Sequence, residues 1–179
     1  TPLMRVILRD EPFRDPSTFW WERGRFPARW ISHPQSSDAL PVVMAFRLCF
    51  ELNRRQTVRI HVSADERYDL RIDRRRIGRG PERGDVRGWF YETYDFDLDA
   101  GKHTFLARVW ALGDFAPAAQ ISVMPAFMLA ADDSALRDTL STGFAPWQSL
   151  LIDGIDHLPA QMMFYAGGRI RIRGASYPW

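Results

Sequence analysis

From Val42 to Leu52 the chain places Val42, Met44, Phe46, Leu48, Phe50 and Leu52 at every second position, with Val43, Ala45, Arg47, Cys49 and Glu51 between them. A period of two sends successive side chains to opposite faces of a pleated strand, so one face is apolar and the other mixed. After a turn at Asn53-Arg54-Arg55-Gln56 the same alternation returns in Val58, Ile60, Val62 and Ala64. Two such runs joined by a short turn make a hairpin or meander. From Ser63 to Gly113 the pattern predicts three more strands, the first carried by Tyr68, Leu70 and Ile72. They are joined by a loop over RRRIGRGPERGD and a tight Asp-Ala-Gly turn, and the glycine and arginine content of the loop puts it on the surface. Met4 to Leu8 reads as a short edge strand, and Gln120 to Leu129 as a strand that Pro125 confines to an edge or bends. Leu150 to Ile155 and Met162 to Tyr165 are short apolar segments, and Arg169 to Arg173 alternates with a solvated arginine face. Many short strands at this spacing predict an all-β fold, a jelly-roll β-sandwich.

At 179 residues the chain is one domain with a core of its own. Residues 1–38 read as an irregular segment, dense in Pro, Trp and Arg, that packs Trp20, Trp21, Phe26 or Trp30 onto a sandwich spanning 39–179. Pro34 to Asp38 makes the turn between them. The stretch AADDSALRDTLSTGFAPWQ is open to two readings. Asp133 can cap a short helix with Leu136 and Leu140 four apart and Gly143 ending it. Equally, a turn at Asp132-Asp133-Ser134 can lead into a strand from Leu136 to Thr142.

Composition excludes several classes. With 46% hydrophobic and 26% charged residues the chain is not of disordered type. The net charge is +2, and acids interleave with arginines (Asp69 near Arg71, Glu82 beside Arg83), so no phosphate-tracking stripe is visible and nucleic acid is disfavoured. Cys49 is the sole cysteine, which leaves no internal disulfide and no thiolate zinc site. No apolar run approaches the roughly 20 residues of a membrane helix, so no membrane contact is expected. A start at Thr1 without a signal peptide suggests a processed or excised segment, and an extracellular or periplasmic setting is expected. His33, His61, His103 and His157 are scattered without metal-ligand spacing. No cofactor is expected, although a structural calcium held by carbonyls and a carboxylate would suit such a fold.

The run Ala64-Asp65-x-Arg67-Tyr68-x-Leu70, then Gly78-x-Gly80-Pro81-x-Arg83-Gly84-Asp85, resembles the N-terminal, galactose-binding-like β-sandwich domain of bacterial α-L-rhamnosidases and related glycoside hydrolases. Trp89-Phe90-Tyr91-Glu92-Thr93-Tyr94-Asp95, Ala100-Gly101-Lys102-His103 and Val109-Trp110-x-x-Gly113 continue the likeness in order, with Ala28-Arg29-Trp30-Ile31 upstream and Leu140-Ser141-Thr142 to Trp147-Gln148 downstream. Asp73-Arg74 stands where that family's turn carries Asn-Gly, and Gly143 where an Asp follows the Thr. The resemblance implies a galactose-binding-like fold and tips Leu136–Thr142 toward strand. It also implies a non-catalytic companion module, because the catalytic carboxylates of such enzymes lie in a separate α/α barrel.

Sugar recognition needs flat aromatic faces for ring C–H surface and planar polar groups for hydroxyls. Trp89 and Tyr91, read as sharing one face of their strand, follow the loop that holds Arg79, Arg83 and Asp85; with Asp65, Arg67 and Trp110 they form the candidate carbohydrate site. The competing reading has these aromatics pack the loop or dock another domain. Asp95, Asp97 and Asp99 share a strand face, and Asp132-Asp133 adds a pair. Glycosidases hold two carboxylates about 5–10 Å apart, but acids so placed are ordinarily solvated faces and turn residues. The sequence thus predicts an accessory carbohydrate-binding module of a rhamnosidase-like glycoside hydrolase, not an enzyme by itself. Its partners would be a rhamnose-containing polysaccharide and a catalytic domain of the same enzyme. The rival is a purely structural interdomain scaffold, and a third reading is a self-contained enzyme using the acids near Asp95.

Overall fold

The computed structural model describes residues 2–15, 17, 19, 24–36, 40–158 and 169–178. Trp20, Trp21, residues 37–38 at the end of the Pro34–Asp38 turn and the apolar stretch 162–165 lie outside the described residues. The strands are β1 (Met4–Val6), β2 (Val42–Leu52), β3 (Gln56–Ala64), β4 (Arg67–Ile72), β5 (Arg75–Gly80), β6 (Glu92–Leu98), β7 (Gly101–Ala111), β8 (Phe127–Ala131), β9 (Gln148–Leu151), β10 (Ile155–Leu158) and β11 (Arg169–Ile172). A four-stranded sheet ordered β1-β6-β3-β8 packs on a five-stranded sheet ordered β5-β4-β7-β2-β9, and β10-β11 form a separate hairpin. This is the expected all-β sandwich, with the two-residue periodicity of β2, β3 and β4 sorting side chains as predicted.

The core lies between the sheets. Met44, Phe46 and Leu48 from β2, Ile60 and Val62 from β3, Tyr68 and Leu70 from β4, and Phe105 and Val109 from β7 are fully or almost fully buried. Phe46 stacks on Phe127 across the two sheets at 5.5 Å. Trp147 stacks on Phe105 at 6.2 Å and donates its indole N–H to the Leu140 carbonyl at 2.9 Å. Each such ring contributes about 1.5–3 kcal/mol by leaving water.

Four expectations are corrected. The first half of the predicted surface loop is strand β5: Asp73 and Arg74, both at positive φ (47° and 69°), form the two-residue turn that folds it back on β4. As an edge strand β5 buries only Ile77 and Gly80, so no alternation betrays it. Trp89 and Tyr91 do not share a strand face, because β6 begins at Glu92. Residues 89–91 are held instead by side chains, with Ser63 Oγ donating to the Phe90 carbonyl (2.7 Å) and the Trp89 indole donating to Ala64 O (3.2 Å). The strand predicted from Gln120 starts only at Phe127; the amides of Val123 and Met124 bond to Asp65 rather than to a ladder, and Pro125 has no amide to give. Finally, Ser134–Leu136 is a 3-10 turn and Arg137–Leu140 a helix, α1, so the helical reading of this segment holds and the strand reading does not. Asp133 caps it by accepting from the Ala135 amide at 2.9 Å, and Leu140 is its buried anchor. Gly143 follows at φ +81°, where an added Cβ would also sit 2.6 Å from the Arg29 Cβ.

Candidate functional site

Antiparallel pairing alternates strand direction, so the β3–β4, β5–β6 and β7–β8 connections all emerge at one end of the sandwich. Trp30 is brought to the same end by the bridge between Ile31 and Phe127. These loops are fastened by two consecutive acids. Asp65 accepts from Ser122 Oγ (2.6 Å) and from the amides of Val123 (2.6 Å) and Met124 (2.7 Å). Glu66 Oε2 accepts from the Leu112 amide at 2.7 Å. The adjacent side chains thus pin the two ends of the long loop between β7 and β8. Glu66 adopts a positive φ of 69° to reach its partner, a strained conformation for a non-glycine residue. Burial pushes the Glu66 carboxyl above the ordinary range, opposed by the Leu112 and Gly113 amides, and its Oε1 has no hydrogen-bond partner among the described residues.

Two grooves flank this clamp. The first, about 390 Å³, is walled by Arg67, Arg79, Arg83, Trp110 and Gln120 with Glu66 among them. Trp110 and Arg67 are direct ladder partners on β7 and β4. Arg67 donates to the Pro81 carbonyl, which fixes its stem against the β5–β6 loop. The second groove, about 340 Å³, is lined by Trp30, Asp65, Val86, Trp89, Val123 and Met124. Its two tryptophans meet edge to face at 6.2 Å.

The predicted site residues therefore separate. Arg67, Arg83 and Trp110 come together in the first groove, and Trp89 and Asp65 line the second. Tyr91 packs edge-on against Phe26 (4.8 Å) and His61 (5.7 Å) on the outer side of the four-stranded sheet, and burial raises its phenol pKa. Asp85 accepts from the amides of Arg87 and Gly88, both at 2.7 Å, which shapes its own exposed loop. Asp65 spends its acceptor positions on the Val123 and Met124 amides and the Ser122 hydroxyl. Asp95 and Asp97 face outward on β6 and bind Arg59 and Thr57. Gln120 and the exposed Val123 and Met124 escaped sequence reasoning, since nothing local says which loops meet. Among the described residues no group of three or more His, Cys, Asp or Glu side chains could hold a metal ion, and no helix is long and apolar enough to cross a membrane.

No family profile and no curated protein matches the chain in sequence. Among solved structures, it superposes on part of the GH78 family rhamnosidase of Bacillus sp. GL1, with a TM-score of 0.68 and 20% identity over 86% of this chain and 16% of that one. The α-L-rhamnosidase of Aspergillus terreus gives 0.44 with 19% identity, over 66% of this chain and 15% of that one. A lectin from Pleurotus ostreatus, crystallised with GalNAc, gives 0.45 with 17% identity, over 87% and 46%. Only the first is a fold-level match. The chain thus has the fold of a β-sandwich segment found within a GH78 family rhamnosidase, spanning 16% of that enzyme's length, which bears out the resemblance at the level of fold.

Proposed function

We propose that this chain is a non-catalytic carbohydrate-binding module whose sugar site is the groove at Trp110. The observation that carries this reading is the placement of the Trp110 indole beside Arg67, Arg83 and Gln120 in one groove. A pyranose lays its C–H face on such a ring and offers its hydroxyls to the flanking planar donors. The fold shared with part of a rhamnosidase supports a module serving a glycoside hydrolase that acts on rhamnose-containing polysaccharide. Glu66 is the one acid lining this groove among the described residues, and a glycosidase needs two. The module accordingly binds without hydrolysing, in an extracellular or periplasmic setting.

Titration of the chain with rhamnose, galactose and pectic oligosaccharides, followed by tryptophan fluorescence, tests the reading. Saturable quenching that Trp110→Ala abolishes and Trp89→Ala preserves is the expected result. Quenching unaffected by Trp110→Ala overturns the site, and release of reducing ends overturns the non-catalytic assignment.

The second groove favours a second reading, a scaffold that docks a catalytic domain. Its walls are apolar and its rim is open, with Val123 71% and Met124 50% exposed. Silence toward every sugar, with association to a rhamnosidase catalytic domain that Met124→Glu disrupts, would replace the first reading by this one.

A further inference from the structure

The five-stranded sheet presents an outer face whose charge is uneven. Along β4 the outward residues are Arg67, Asp69 and Arg71, and β7 sets Trp110, Arg108 and Leu106 directly opposite them. Arg79 on β5 pairs with Asp69 from the other side, and Arg76 faces Arg71. Asp69 is 2% exposed, and three guanidiniums close on it: Arg79 Nε at 2.9 Å, Arg76 at 3.1 Å and Arg71 at 3.4 Å. The same three arginine side chains remain 41–60% exposed, so each still offers donors to solvent. Arg108 is exposed and has no acidic partner among the described residues. Three guanidiniums thus close on one carboxylate, and Arg108 stands opposite Asp69 in the ladder as a fourth positive charge. Burial alone would raise the Asp69 carboxyl, yet the hydrogen bond from Arg79 and the charges of Arg76 and Arg71 hold it below the ordinary range, so it stays ionised at neutral pH.

Folding creates this patch by undoing an interleaving visible along the chain. Asp95 and Asp97 go to the other sheet, where Arg59 and Arg55 pair with them. What stays on the five-stranded sheet is an unbalanced positive surface. A shallow groove of about 290 Å³ runs through it, where Arg71 and Arg108 border the exposed aliphatic side chains of Leu106 and Leu150.

We propose that this face binds an acidic polysaccharide, whose uronate carboxylates lie among Arg108 and the three arginines, Arg71, Arg76 and Arg79, that already hold Asp69. Asp69 supplies the internal precedent: the spacing of these guanidiniums accepts a planar carboxylate, the group for which arginine forks are shaped. The exposed leucines give the C–H faces of the sugar rings a surface to lie on. A modest positive surplus centred on one acid suits a polymer with one carboxylate per ring. It suits poorly the denser charge of a nucleic acid, about one per 1.7 Å along a duplex.

The experiment titrates the whole chain calorimetrically with an oligogalacturonate, with a neutral galactan oligomer of matched length and with a single-stranded oligonucleotide, each at low and high salt. Oligogalacturonate is expected to bind more tightly than either competitor, with affinity falling as salt rises. Arg108→Gln and Arg71→Gln should each weaken that binding about tenfold, the loss of one charge-assisted contact. Arg54→Gln, in the β2–β3 turn at the opposite end, should leave it unchanged, and thermal melts verify that each variant is folded. Arg108 makes no ion pair among the described residues, so its variant remains informative even if Arg71→Gln loosens Asp69. Equal affinity for acidic and neutral oligomers, indifference to both arginine changes, or tighter binding of the oligonucleotide overturns the proposal. Neither substitution touches the Trp110 groove, so the two readings fail separately. Loss of uronate binding with Trp110-dependent binding of neutral sugar intact sinks only the present inference.

Discussion

On the four-stranded sheet the outer face is closed and neutralised. Arg59 holds Asp95 through two bonds of 2.7 Å, and Thr57 binds Asp97 at 2.6 Å. His61, pointing outward from β3, is fully buried beneath Phe13, Phe26 and Tyr91, with Thr93 on one ring nitrogen and Asp132 on the other, both at 2.9 Å. On the five-stranded sheet, among the described residues, no comparable layer covers Arg71, Arg76, Arg79 and Arg108, although Tyr177 and Pro178 border the groove at Arg71 and Arg108. One face is a third packing layer built from the N-terminal segment. The other carries charge that pairing does not balance, and clustered like charges cost stability rather than supplying it. A surface kept open at that cost is the one to examine for a partner.

The comparison can be broken at its strongest point. His61→Ala removes a buried ring and leaves Thr93 without its partner, so unfolding by urea should show a loss of about 2–4 kcal/mol. If the closed face were merely incidental, that loss would shrink to the level of a surface change.

Proton linkage sharpens the contrast. Burial holds the His61 pKa below its ordinary value despite Asp132, so its neutral form belongs to the fold. That stability is present above the unfolded-state value near ~6.5 and is lost as pH falls below it. At the far end, burial works against protonation of His103, but the Asp73 carboxylate at 2.6 Å and the Asp99 carbonyl at 2.9 Å outweigh it and raise its pKa. The contribution of His103 is therefore present below ~6.5 and is lost as pH rises through the raised folded value. Urea midpoints across this range should lose their acid limb in His61→Gln and their alkaline limb in His103→Gln. Acid limbs that coincide in wild type and His61→Gln would remove the basis for a closed, neutral face.

Smaller effects follow. Arg74 sits at φ +69° in the β4–β5 turn, so Arg74→Gly should stabilise by about 1 kcal/mol, read as a raised melting temperature. Arg108→Gln should change stability by less than about 0.5 kcal/mol, separating this side chain's binding role from any structural one.

Legibility in the sequence followed the same division. Strands that bury one whole face, such as β2 with Met44, Phe46 and Leu48, announce themselves by period two. Edge strand β5 does not, because pairing with β4 rather than burial makes it a strand. The 134–140 segment is compatible with two periodicities, and the Asp133 cap and the Leu140 anchor decide for helix. Arg67, Arg83 and Trp110 line one groove, whereas Asp65 is committed to a loop and Tyr91 to the covered face. Those assignments depend on which loops share an end of the sandwich, and that requires sheet order.

The double clamp at Asp65 and Glu66 has a consequence for variation. It grips Leu112 at one end of a long connection and Ser122–Met124 at the other, leaving the intervening span joined to the clamp only through its termini. Length and side chains there can change while the pleated scaffold beneath stays as it is. Since that span supplies Gln120 to one hollow and leads into the wall of the other, an insertion of a few residues would re-cut both at once.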